Sequence, residues 1–97
     1  MALPARFRIE GARKAAGLTQ QKLANHVGVV VMTVSRWCRG ETEPGAEELA
    51  LLADALGVSR SWLAWGDGQP SADSEHTARV VAFVKAARTA ARKREAA

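Results

Sequence analysis

A chain of 97 residues with three Trp, two Phe and no Tyr is long enough for one small domain with a modest core. Its single cysteine excludes an intrachain disulfide, no apolar run is long enough to span a bilayer, and the amino-terminal MALPARFRIE lacks the long apolar region of a signal peptide, so a cytoplasmic protein is expected. The net charge of +4 and pI of about 10.0 favour an anionic partner, above all nucleic acid, and the excess is uneven: from Arg79 to Ala97 six basic residues face one acid, Glu95, leaving the rest slightly acidic.

Helix signals dominate the chain in order. Residues 6–16 place Ile9, Ala12 and Ala16 at helical spacing, and Gly17 stops the run. Thr19 is a good N-cap for QQKLANHV, which Gly28 ends. A further helix is expected over residues 30–39, ending at Gly40. Pro44 and Gly45 make ETEPG a loop. In AEELALLADALG, Leu49, Leu52, Ala53 and Leu56 form one face, Glu47 and Glu48 suit the N-terminal dipole, and Gly57 closes the helix. Ser59 caps a short RSWLAW helix that ends at Gly66. GDGQPSADS has the composition of a linker without an apolar anchor. A last helix is expected from Ser74 to about Arg94, with Val80, Phe83, Val84, Ala87 and Ala91 as its apolar stripe. No strand alternation or internal repeat is evident.

Two short helices separated by a glycine invite a specific test. Counting from Gln20 as the first position, Ala24 falls fifth, Gly28 ninth, Val34 fifteenth and Trp37 eighteenth, with Leu23, Val27 and Val29 at the other apolar places. Two steeply crossing helices need a small side chain at their contact, which Ala24 supplies. The tight turn needs positive φ, which costs Gly28 little. Val34 and Trp37 lie three apart and face back into the core. This is the pattern of a helix-turn-helix, whose second helix enters the major groove of DNA.

The stretches GLTQQKLANHVGV, TVSRW and LALLADALGVSRSWLAWG resemble the Xre/Cro/phage-repressor type of helix-turn-helix domain, over about residues 8–66. The resemblance implies an all-α fold: a five-helix, lambda-repressor-like bundle over residues 1–66. A linker (67–74) and a C-terminal basic amphipathic helix (75–97) would follow it. It also implies binding to operator DNA as a dimer. By position, Gln20 matches a residue that contacts phosphate and braces the recognition helix. Val31, Met32 and Arg36 match places that reach base edges, and Thr33 and Arg39 match places near the backbone. Val30 and Ser35 fall on the same expected surface. Arg36 is the main candidate reader, because a guanidinium can donate two hydrogen bonds to guanine. Lys14, Lys22 and Arg39 would add salt-sensitive attraction that is largely blind to sequence.

Two positions depart from the pattern. The family usually has Ser or Thr where Val30 stands, and valine cannot cap, so an orphan N–H needs another partner, such as a DNA phosphate. The family commonly has Glu at the place of Cys38, paired with an arginine that aligns with Arg13. With Cys38 there, Arg13 must turn to another partner such as Glu10, to solvent or to phosphate.

Plainer explanations compete with each functional one. For VVVM, a core strand fails because glycines and helix signals bracket it. Core packing explains Val29 and Val34, but not Val31 and Met32, which the helical phase points outwards towards DNA or, failing that, a protein partner. Cys38 is expected as a small buried hydrophobe rather than a redox switch. His26 and His76 are expected at the surface rather than on a metal, Trp62 in the core, and Trp65 partly exposed over the linker junction. Ser35 has no His/Asp partner set, and no phosphate-binding glycine loop or carboxylate dyad appears, so neither enzyme activity nor a cofactor is expected. The C-terminal helix could pack on a second subunit, fold back on its own domain, or bind DNA or an anionic membrane. The first is preferred, making a homodimer or higher homo-oligomer without a membrane. The terminal ARKREAA is expected to fray and to add attraction to phosphate.

The function expected is a transcriptional regulator that binds a pseudo-palindromic operator in double-stranded DNA, with repression by occlusion as the default. An activator contacting RNA polymerase, the antitoxin of a toxin–antitoxin pair and a protein-interaction module that has lost DNA binding are the alternatives.

Overall fold

The computed structural model describes residues 4–96, with side chains through Lys93. It contains six helices, α1 (Ala5–Ala15), α2 (Gln20–Val27), α3 (Val31–Arg39), α4 (Ala46–Leu56), α5 (Arg60–Trp65) and α6 (Ser74–Ala96). Among the described residues there is no strand. The expected helices are all present: α2, α4 and α5 have the expected bounds, and α1, α3 and α6 differ by one or two residues at their ends. Val30, the first residue of the span expected for α3, is its N-cap residue, the capping place at which the sequence departs from the family pattern.

Local chemistry sets the boundaries. The Thr19 hydroxyl accepts the Lys22 backbone N–H (3.1 Å) at the start of α2. The Ser59 hydroxyl accepts that of Trp62 (3.1 Å) at the start of α5. Glu48 reaches back so that its Oε1 accepts the Gly45 backbone N–H (3.0 Å), fixing the entry to α4. Between α2 and α3, Gly28 adopts φ 83° and ψ 31°, and the N–H groups of Gly28 and Val29 both donate to the Ala24 carbonyl (2.8 and 3.1 Å). That left-handed conformation is cheap only for glycine, and it turns the chain sharply into α3.

One core joins all six helices. Ile9 and Ala12 of α1, Leu23 and Ala24 of α2, Val34 and Trp37 of α3, Leu52 and Leu56 of α4, Trp62 and Leu63 of α5, and Val80 and Val84 of α6 are buried together. Trp62 is in the core as expected. Arg8 is buried as well, a position no sequence signal marked. Its Nε donates to the Leu63 carbonyl (3.0 Å) and its Nη2 to that of Ala64 (3.1 Å), so it satisfies carbonyls at the C-terminal end of α5. Burial lowers its pKa from the ordinary arginine value.

Two features differ from expectation. The stretch expected to be an unanchored linker is anchored. Pro70 is fully buried, and its carbonyl accepts the Ser59 backbone N–H (2.8 Å). Proline suits this place because it has no N–H to leave unsatisfied. Ser71 and Thr77 then bond reciprocally: the Ser71 N–H donates to the Thr77 hydroxyl (3.1 Å), which donates to the Ser71 carbonyl (2.9 Å). The Asp73 carboxylate accepts the N–H groups of Glu75 (2.9 Å) and His76 (3.2 Å), capping α6. His76, expected simply at the surface, is half-buried, with its Nε2 3.2 Å from the Leu56 carbonyl at the end of α4.

The second difference is the destination of the apolar stripe. Val80 and Val84 seat on the chain's own core rather than on a second subunit, and α6 packs chiefly along α1. Gly11 makes this contact close, since a Cβ there would lie 2.4 Å from Val84 Cγ2 and 2.9 Å from Val84 Cα. Phe83 stays exposed, and Ala87 and Ala91 are half-buried. The backbone of ARKREAA, expected to fray, is helical to Ala96; Arg92 and Lys93, two of the cations expected to attract phosphate, are exposed, and the side chains from Arg94 on lie outside the described residues.

Candidate nucleic-acid interface

The period of α3 divides its residues between two faces. Val34 and Trp37 are buried, at 0% and 3% relative exposure. Cys38 is half-buried against the core. The opposite face carries Val31, Met32, Ser35, Arg36 and Arg39, spaced so that all project to the same side. Val30 is 68% exposed, Met32 52% and Val31 37%. The outward phase expected for the apolar tip is therefore the one observed. Thr33 and Ser35 are half-buried, and Arg36 is exposed.

The tip of α3 carries no side-chain cap. Val30 has the extended conformation of an N-cap, φ −74° and ψ 151°, but no side-chain atom that can accept a hydrogen bond. Of the first-turn donors, the Thr33 N–H reaches the Val30 carbonyl (3.0 Å). An uncapped helix N-terminus ringed by small apolar side chains lets a phosphate or a base edge approach the backbone closely.

At the other end of α3 the cations differ in their surroundings. Arg39 is held twice: its Nη1 donates to the Ser35 Oγ (2.7 Å) and its Nη2 to Glu41 Oε2 (2.9 Å). The hydrogen bond to Glu41 and that residue's charge raise the Arg39 pKa, and the same hydrogen bond, followed by the charges of Arg39 and Arg36, lowers that of Glu41. Glu41 is itself fixed, because its backbone N–H donates to the Arg36 carbonyl (2.9 Å) just beyond Gly40, which has φ 75°. Sequence reasoning passed over Glu41. An acid two residues after Arg39, across a glycine C-cap, was the available signal.

Beneath α3, the Arg13 side chain makes the substitute pairing expected with Glu10. Its Nε donates to Glu10 Oε1 (3.1 Å), its Nη2 bonds the same oxygen, and its Nη1 donates to the Leu18 carbonyl (2.7 Å). Burial pushes the Glu10 carboxyl up, but hydrogen bonds from Arg13 and Cys38 and the charges of Arg13 and Lys14 outweigh it, so its pKa is lowered overall. Burial, then the hydrogen bond and charge of Glu10, push the Cys38 thiol up to about 12. Such a thiol stays protonated and is a poor nucleophile.

The remaining expected contacts are dispersed. Gln20 opens α2, and Lys22 stands exposed in its first turn. Lys14 is exposed in the last turn of α1, outside the two helices of the motif. His26 is exposed on α2. Trp65, expected over the linker junction, is 71% exposed and stands instead beside Ala5, Pro44, Ala46 and Leu49.

Comparison with known proteins supports this geometry. A family model described as helix-turn-helix matches residues 9–63. The chain is 42% identical over 60 residues to repressor protein C2 of Salmonella phage P22, covering 62% of this chain and 28% of that one. It is 37% identical over 60 residues to the HTH-type transcriptional regulator DicA of Escherichia coli, covering 62% and 44%. It is 34% identical over 62 residues to the HTH-type transcriptional regulator for conjugative element SXT of Vibrio cholerae, covering 64% and 28%. The chain thus spans less than half the length of these relatives. The solution structure of the DNA-binding domain of the P22 C2 repressor superposes with a TM-score of 0.65 at 37% identity, over 69% of this chain and 88% of that domain. With a match over more than half its length, the same two-helix geometry and an all-helical bundle, the chain belongs to the helix-turn-helix family.

Proposed function

We propose that this chain binds double-stranded DNA and acts as a transcriptional repressor, seating α3 in the major groove and occluding its operator. The observation that carries this reading is the outer face of α3. Three apolar residues and an exposed guanidinium are presented together at the surface, beside a helix N-terminus without a side-chain cap. The apolar tip suits thymine methyl groups and sugar carbons, and Arg36 suits guanine. The net charge of +4 adds attraction to phosphate, and the relatives named above are repressors and regulators rather than enzymes. Among the described residues no helix is long and apolar enough to cross a membrane. A DNA target supports the cytoplasmic location expected from the sequence.

A pseudo-palindromic operator calls for two copies. The C-terminal helix remains the proposed contact only through what its monomer core leaves over, with Phe83 as its exposed apolar residue. A second surface competes with it. Trp65 stands exposed beside Pro44 and Leu49, flanked by Glu43 and Arg60, a combination of apolar centre and opposite charges that a two-fold axis could pair with itself. Sedimentation of Phe83→Ala and Trp65→Ala variants separates the two, because only the variant at the true contact shifts towards monomer.

The function is tested by selecting bound duplexes from a random library at low salt and then titrating salt. The expected result is enrichment of a two-half-site motif with affinity that falls steeply as salt rises. Failure to retain any duplex at low salt overturns DNA binding and leaves the protein-interaction module in its place.

A further inference from the structure

We propose that Glu41 is a positioning residue that restrains Arg39 and thereby weakens the phosphate-driven part of DNA binding; the inference rests on the DNA-binding role proposed for α3. Arg39 is the last residue of the recognition helix and lies on its outer face with Arg36. In the free protein its guanidinium is not waiting for phosphate. One nitrogen donates to the Ser35 hydroxyl one turn back (2.7 Å) and another to the Glu41 carboxylate (2.9 Å).

The restraint is built into the backbone rather than left to a mobile loop. Gly40 takes the left-handed conformation, its N–H donates to the Trp37 carbonyl (3.1 Å), and the Glu41 N–H donates to the Arg36 carbonyl (2.9 Å). These bonds end α3 and fix the acid beside its final turn. Both partners are exposed, so the pair is weak in water and screened by salt. A restraint this weak can be displaced by DNA at a small cost. On any duplex, the attraction between Arg39 and phosphate must displace Glu41 and leave that carboxylate beside a polyanion. Non-operator DNA offers little beyond phosphate contacts, so this loss falls on most of its binding energy. On the operator, base contacts from Arg36 and the apolar tip add to the total and the same loss is tolerated. Glu41 therefore lowers both affinities by a similar factor, and the binding it makes negligible is the kind that rests on phosphate attraction alone.

The experiment compares full-length wild type, Glu41→Gln, Arg39→Ala and the double variant. It uses fluorescence anisotropy on the selected operator and on a scrambled duplex of equal length, across a salt series. Glu41→Gln is expected to bind the scrambled duplex about two- to fivefold more tightly. Its slope of log affinity against log salt should steepen by up to about 0.9, as the Glu41 charge no longer offsets the Arg39–phosphate contact. The gain should vanish in the Arg39→Ala background. Unchanged or weaker binding of the scrambled duplex by Glu41→Gln overturns the proposal while leaving DNA binding intact. Weakened operator binding with the scrambled duplex unaffected also overturns it, since Glu41 would then be reading a base. Absence of binding by every form, wild type included, overturns both this inference and the DNA-binding role beneath it.

Discussion

Gly11 of α1 and Val84 of α6 meet so closely that no side chain fits between their helices. A Cβ on Gly11 would lie 2.4 Å from Val84 Cγ2, 2.7 Å from its backbone nitrogen and 2.9 Å from its Cα. Glycine inside a helix ordinarily costs about 1 kcal/mol relative to alanine. Here that cost permits the approach that carries Val80 and Val84 into the core. Gly11→Ala is therefore expected to destabilise the protein by about 1–3 kcal/mol, as an overpacked core does. Thermal melts read the loss. Adding Val84→Ala should recover only part of it, since the backbone of Val84 is also in the way. A higher melting temperature for Gly11→Ala would show that propensity, not packing, decides at this position.

The Arg13–Glu10–Cys38 cluster predicts a particular pH response. The Glu10 pKa is lowered in the folded state, so the folded protein holds the carboxylate in preference to the acid. Its contribution to stability is complete above the unfolded carboxyl pKa, about 4.3, and is lost as pH falls through the lower folded value. Glu10→Gln should flatten that acid limb. It should also lower stability at neutral pH by about 1–3 kcal/mol, because Arg13 keeps only the Leu18 carbonyl as a strong acceptor. Melting temperatures from pH 3 to 7 for both proteins test this; parallel curves would contradict it.

Cys38 titrates in the opposite sense. Its thiol is pushed up to about 12 when folded, against an unfolded value of about 8.5, so its stabilisation is present below the unfolded value and is lost as pH rises towards 12. At pH 8 the native thiol should react with a thiol reagent on the order of a hundredfold or more slowly than a free cysteine. Labelling kinetics with and without denaturant decide the point, and rapid labelling of the native protein would contradict it.

Features whose chemistry closes within a few residues were legible in the sequence. Thr19, Gly28 and Ser59 announce helix ends because caps and left-handed turns need only local partners. The inward set of α3, Val34 and Trp37, and its outward set follow from the helical period. Features that need a distant partner were not. Gly11 shows only as a helix-weakening residue until Val84 arrives against it, and Arg8 looks like a surface arginine until the α5 carbonyls are in place. Pro70 lies in a stretch whose composition is that of a linker, yet its ring is buried. The stripe of α6 declared an apolar face but not which surface would cover it. At the candidate site, the outward placement of Arg36 was evident from the helical period. The tie between Arg39 and Glu41 was not, because it depends on where the turn after Gly40 places the acid.

Val30 offers a gain of stability. It already has the backbone conformation of an N-cap and lacks only a side-chain acceptor. Val30→Ser should supply a hydroxyl for a first-turn N–H of α3 and stabilise the fold by about 1 kcal/mol. Val30 is 68% exposed, so little buried apolar area is lost in exchange. Val30→Ala, which cannot cap, is the control and should bring no gain. Equal melting temperatures for the serine and alanine variants would mean that the open donors of α3 are already satisfied by water.

Arg36 and Met32 should fail in different ways on DNA. Both are exposed on the outer face of α3, but in the proposed complex one would recognise by hydrogen bonds and the other by contact. A bidentate pair with guanine discriminates by about 1–3 kcal/mol, so Arg36→Ala should let all four bases into one position of each half-site while retaining phosphate attraction. Met32→Ala removes apolar contact, so it should weaken operator binding and dull the preference for thymine without relaxing the guanine position. Neither should shift the melting temperature appreciably, because neither side chain is in the core. Library selection with wild type and both variants makes the comparison directly. Three indistinguishable motifs with equal affinities would remove the outer face of α3 as the reading surface.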